Sequence, residues 1–148
     1  MTRLALWSVL LSLICALSGC AGIQPPPGME NDRSFTQNST KPYVEAYKII
    51  AKQMRACYRA IGLLGNGYDV QADLDTANKT GTVELYYVGI TGAQKPEDSV
   101  FSRTVTISAS PDGSVITTSG TTPSYVYLTH KSIPGWLDGM DSCGPRSQ

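Results

Sequence analysis

Residues 68–75 read Tyr68-Asp69-Val70-Gln71-Ala72-Asp73-Leu74-Asp75. Apolar and polar side chains alternate without a break, and a period of two is the signature of a strand with one dry and one wet face. Such a face must be covered, so the rest of the chain is read for what covers it. Ala77-Asn78-Lys79-Thr80-Gly81 supplies a turn, and Val83, Leu85 and Tyr87 then recur on one side of a second strand, with Glu84, Tyr86 and Val88 on the other. After a loop from about Gly92 to Asp98, Phe101, Arg103, Val105, Ile107 and Ala109 alternate with Ser102, Thr104, Thr106 and Ser108. Ser110-Pro111-Asp112-Gly113 is a turn, since proline presets the first corner and glycine accepts the last. Residues Ser114 to Ser119 return as a fourth strand.

Upstream the period changes. Tyr43, Tyr47, Ile50, Met54, Cys57 or Tyr58, and Ile61 recur at helical spacing, while Glu45, Lys48, Lys52 and Arg59 take mostly other faces. The pattern predicts an amphipathic helix over about 41–61, with Ser39 or Thr40 as N-cap and Pro42 in the first turn. Gly62 and Gly65-Asn66-Gly67 end it. The expected architecture is α+β: one N-terminal helix packed on a four-stranded antiparallel meander. Tyr125-Val126-Tyr127-Leu128 is either a fifth strand or a short helix, and Ile133 to Leu137 is expected to pack a turn onto the body.

The N-terminus is of a different kind. Arg3 is its only charge, and Leu4 to Leu17 are almost all apolar. That run falls short of the roughly 20 apolar residues of a stable span, and a basic start, a short apolar stretch and small residues mark a secretory signal. Leu17-Ser18-Gly19-Cys20 resembles the lipobox of bacterial lipoproteins. The resemblance implies cleavage after Gly19, diacylglycerol on the Cys20 sulfur, and a further acyl chain on the new amino terminus. Each buried methylene contributes ~0.8 kcal/mol, so two or three chains anchor firmly where one holds marginally. Ala21, in place of aspartate after the cysteine, implies the outer rather than the inner membrane. The organisation expected is a leader at 1–19, a lipidated tether at 20–39 with Pro25 to Pro27 as spacer, and one domain at 40–148.

Composition narrows the partners. The chain has 12 basic and 12 acidic side chains; Arg3 leaves with the leader, so the mature chain carries a formal charge of −1. No basic footprint for nucleic acid is present. Cys15 also leaves with the leader. Cys20 takes lipid, and the remaining pair, Cys57 and Cys143, is expected to form a disulfide in an oxidising compartment. There is no Cys-x-x-Cys, and two distant cysteines with one histidine do not make a zinc set. No cofactor beyond the covalent lipid, and no metal, is expected.

Candidates for chemistry are few. His130, the only histidine, stands between Thr129 and Lys131, and no Gly-x-Ser-x-Gly elbow accompanies it. Asp69, Asp73 and Asp75 share one strand face with Glu84 nearby; a glycan-cleaving pair needs two such acids converging, whereas a solvated strand face carries alternating acids anyway. All eight tyrosines lie in the mature chain, and Tyr86 with Val88 is a candidate partner surface if that face is turned away from the helix. The function expected is a membrane-anchored, non-enzymatic structural or protein-interaction module of the envelope. The alternative is an envelope hydrolase or a small-ligand or glycan binder.

Overall fold

The computed structural model of the chain describes residues 25–89, 92–93 and 102–144. The leader, the lipobox with Cys20, most of the 92–98 loop and Phe101 lie outside the described residues.

The elements in order are β1 (Ser34–Ser39), α1 (Tyr43–Tyr58), β2 (Ala60–Ile61), β3 (Gly67–Asp75), β4 (Thr80–Gly89), β5 (Gly92–Ala93), β6 (Arg103–Ser110), β7 (Gly113–Gly120) and α2 (Pro123–Leu137). Among the described residues all strands join one antiparallel sheet of seven, ordered β1-β7-β6-β4-β3-β2, with β5 paired to the end of β4. The expected architecture of one helix on a four-stranded meander is therefore corrected. The strands β3, β4, β6 and β7 do form a meander, but the sheet extends past both of its edges and a second long helix lies on it.

Strand β1 carries one apolar residue, Phe35, so it has no alternation to read. It is an edge strand, held by backbone pairing to β7 from Ser34↔Ser119 to Ser39↔Ser114. Its inward Phe35 ring meets Tyr127 and His130 of α2 at centroid distances of 5.5 and 5.4 Å. The segment expected as tether thus gives its last six residues to the sheet. Ahead of β1 the chain turns instead of running straight: Met29 donates its backbone N–H to the Pro26 carbonyl at 3.0 Å, and Gly28 takes φ +90°.

The second helix runs through Pro134 and Gly135, two residues that disfavour helix interiors. Tertiary burial overrides them: Val126, Thr129, Ile133 and Trp136 recur at helical spacing and all are buried. Pro134 cannot donate to the carbonyl four residues back, which is that of His130. That carbonyl accepts instead from Gln37 Nε2 of β1, at 3.4 Å. The helix ends in a Schellman motif, Gly139 donating to Trp136 O and Met140 to Gly135 O, with Gly139 at φ +88°.

The first helix begins later than its pattern predicts, at Tyr43. Pro42 occupies the cap position with no side-chain cap, because Ser39 Oγ accepts the Lys41 N–H instead. It stops at Tyr58 because Ala60 and Ile61 pair with Tyr68 and Gly67 as β2. Ala46, Ile50 and Met54 press onto Val83, Leu85, Val105, Ile107 and Ile116, and Ile133 and Trp136 of α2 complete the core. Gly81 admits the close approach of α1: a Cβ there would lie 2.6 Å from Tyr47 Cδ2.

Cys57 and Cys143 form a disulfide, with Cα atoms 5.2 Å apart. Polar contacts seat the same tail. Gln53, one turn before Cys57, donates to Asp141 Oδ1 at 2.7 Å, and Trp136 Nε1 donates to the Ser142 carbonyl at 2.8 Å.

Candidate functional site

Arg103 opens β6 on the inward face, in phase with Val105 and Ile107, and is only 7% exposed. Cross-strand pairing sets it between Leu85 of β4 and Gly120 of β7. Gly120 leaves room for it: a Cβ there would come within 3.2 Å of Arg103 Cγ and 2.9 Å of Val126 Cγ2. The guanidinium carbon lies 4.3 Å from the ring centroid of Tyr58, the last residue of α1, and 5.5 Å from that of Tyr125 in the first turn of α2. Its Nη1 donates to Thr129 Oγ1 at 2.9 Å and, at 3.5 Å, to the Tyr125 carbonyl.

Among the described residues no carboxylate pairs with this cation, and its Nε is buried without a hydrogen-bond partner. Burial lowers the guanidinium's affinity for its proton, opposed by the surrounding Tyr58 and Tyr125. Arginine nonetheless stays charged in proteins. A buried unpaired cation is costly by several kcal/mol, and a desolvated cation–π contact returns about 2 kcal/mol, so the rings alone do not offset the burial.

Arg103 lies at the wall of a solvent-open cavity of about 220 Å³ lined by Cys57, Tyr58, Tyr68, Leu85, Arg103 and Tyr125. Tyr68 comes from the start of β3, its ring edge-on to Tyr87 at 5.4 Å. Burial, reinforced by Tyr87, raises its phenol above the ordinary tyrosine value, so the hydroxyl is a neutral donor. The cavity thus combines one fixed positive charge, aromatic walls and phenolic hydroxyls.

The other candidates sit elsewhere. Asp73, Asp75 and Glu84 stand on the helix-free sheet face, with Asp73 and Asp75 exposed. Asp73 faces Thr82 and Glu84 faces Gln71; Asp73 accepts from Gln71, and Asp75 closes its own turn through the Ala77 and Asn78 N–H groups. Those Asn78 and Ala77 bonds hold Asp75 below the ordinary carboxylate value, opposite to what a general acid needs. His130 is half-buried with its ring tilted over Phe35, and its Nδ1 has no partner among the described residues. No three His, Cys, Asp or Glu side chains gather as a metal site among the described residues.

Tyr86 and Val88 lie on the sheet face opposite the helices, across from Asp69 and Gly67, and Asp69 is engaged by Arg59 Nε at 3.0 Å. Most of that face is hydroxyl: Thr36, Thr117, Thr106 and Thr82 stand side by side across four strands, the first two 3.0 Å apart at their hydroxyls. Sequence reasoning missed Arg103 as a site residue. The available signal was its phase, a charge in the inward register of a strand.

No protein-family model matches the chain, and no curated protein matches it.

Proposed function

We propose that the chain is a lipid-anchored lipoprotein of the bacterial envelope, at the outer rather than the inner membrane, whose domain acts by binding and not by turnover. The observation that carries this reading is the Cys57–Cys143 disulfide. Disulfides persist in oxidising compartments, and this one uses both cysteines of the domain. It leaves Cys20 of the lipobox-like Leu17-Ser18-Gly19-Cys20 as the mature cysteine free to take lipid. The covalent lipid is the only prosthetic group of this reading, and the membrane is its first partner.

A protein partner in the envelope is the second, met through Tyr86 and Val88 on the helix-free face. The hydrolase alternative would use Asp73, Asp75 and Glu84, of which Asp73 and Asp75 are exposed and engaged by Gln71, Ala77 and Asn78. The small-ligand alternative has an observation of its own in the Arg103 cavity.

Growth with labelled palmitate tests the anchor. Label is expected on the wild-type chain and absent from Cys20→Ala, with the variant recovered in the soluble periplasmic fraction. Equal labelling of both overturns the lipoprotein reading. A photoreactive side chain at position 86 tests the partner surface. It should yield one envelope-protein adduct that the unlabelled domain competes away, and an adduct insensitive to competition overturns that assignment.

A further inference from the structure

We infer that the Arg103 cavity is a binding site for a small monocarboxylate with an aromatic or compact apolar body. The inference deepens the small-ligand reading and is independent of the anchor. Its basis is a mismatch between what the protein supplies to Arg103 and what a buried guanidinium requires. Thr129 and the Tyr125 carbonyl account for Nη1, and the Tyr58 hydroxyl adds a side-chain hydrogen bond. The net charge and the buried Nε remain unanswered among the described residues. A purely structural arginine tying β6 to α2 needs neither an adjoining cavity nor a charge without a carboxylate partner among the described residues. A carboxylate in the cavity supplies the negative charge, and acceptors for the part of the guanidinium that lines it.

The walls choose among anions. One positive charge balances one negative charge, and Tyr58, Tyr68, Tyr125, Leu85 and the Cys57 sulfur present mostly apolar surface. A multiply charged, strongly hydrated phosphate would meet one cation and mostly apolar walls there. The body of a monocarboxylate instead gains from every ring it touches. The cavity of about 220 Å³ equals roughly seven water volumes and falls below the usual range for drug-sized ligands. The ligand is therefore compact, with its carboxylate against Arg103 and its body among the tyrosines.

The experiment titrates benzoate into the purified chain, disulfide closed, following the Arg103 Nε–H resonance by NMR. Benzamide, of the same shape without the charge, and inorganic phosphate are run beside it. Saturable benzoate binding is expected to shift that resonance. Arg103→Met should weaken it about ten- to hundredfold, the range for losing a charge-assisted hydrogen bond. Benzamide should be weakened comparably, and phosphate should not saturate. Without ligand, Arg103→Met should melt at or above the wild-type temperature, since a methionine removes an unpaired buried charge while filling similar space. Non-saturating benzoate, or equal affinity for benzoate and benzamide, overturns the proposal. That contrast is read on unaltered protein, so it decides the matter even if Arg103→Met does not fold. Saturable phosphate binding in place of benzoate also overturns it. Palmitate labelling is untouched by any of these results, so failure here and failure of the anchor reading are told apart.

Discussion

At the residue scale the chain places two ionisable groups where their charge is disfavoured, and they respond in different ways. Arg103 keeps its proton and is surrounded by rings; His130 can give its proton up. Burial first, and the neighbouring Lys131 second, lower the His130 pKa from its ordinary value. A lowered folded-state value means the unfolded chain binds the proton more readily. The resulting stability is present above the unfolded histidine pKa of about 6.5 and is lost as pH falls through that value toward the folded one. Urea unfolding at pH 7.5 and 5.5 should show lower stability at the acidic point, and His130→Gln should flatten the difference. An unchanged slope in the variant would place the pH dependence elsewhere. Asp75, with its own lowered value, belongs to a lower window. Neither group is conspicuous in the sequence. His130 reads as a surface residue because Thr129 and Lys131 flank it, yet in a helix the residue three or four positions away decides the face. Arg103 was visible as an inward-phase charge between Phe101 and Val105, but alternation is usually read for its apolar members.

At the scale of elements, legibility follows burial on a single face. Strands β3, β4, β6 and β7 have one dry face and appear near where alternation puts them. Strand β1 needs no apolar stripe, because pairing to β7 satisfies its backbone while Phe35 and Gln37 reach α2. Helix α2 is hidden by Pro134 and Gly135, whose local cost is outweighed by burial of Ile133 and Trp136. These two unread elements support each other, since Gln37 of β1 takes the carbonyl that Pro134 leaves vacant. Gln37→Leu should therefore cost about 1 kcal/mol, the ordinary net value of a hydrogen bond whose acceptor is then stranded. In a Pro134→Ala background the alanine N–H can take the His130 carbonyl, and the same Gln37→Leu change should cost little. A double-mutant cycle by chemical denaturation measures the coupling. Additive costs would show that the 3.4 Å contact contributes nothing to stability.

For the whole molecule, the C-terminal tail is the part least able to hold itself, and the contacts that tie it down include Gln53 to Asp141 and to the Met140 carbonyl, Lys52 to Asp141, Trp136 to Ser142, and Cys57 to Cys143. The disulfide spans a sequence separation of 86 residues, for which the loop-entropy relation gives about 4.6 kcal/mol, at the upper end of the usual 2–5 kcal/mol. The polar contacts hold the reduced tail in place, and this partial order in the native state does not change the loop entropy, which resides in the unfolded chain. A Cys57→Ala/Cys143→Ala variant should thus lose about 2–5 kcal/mol in urea unfolding and remain folded. Adding Gln53→Ala should cost more in that background than in the wild type, because the polar contacts then carry what they share with the covalent link. Equal costs in both backgrounds would mean that the tail is anchored independently at each point. The disulfide also reaches the candidate site, since Cys57 lines the cavity beside Tyr58 and Arg103. Loosening the end of α1 moves the ring that lies 4.3 Å from the guanidinium. Reduction under conditions where the domain stays folded should therefore weaken benzoate binding, whereas Gln53→Ala, a turn away and outside the cavity lining, should leave it unchanged.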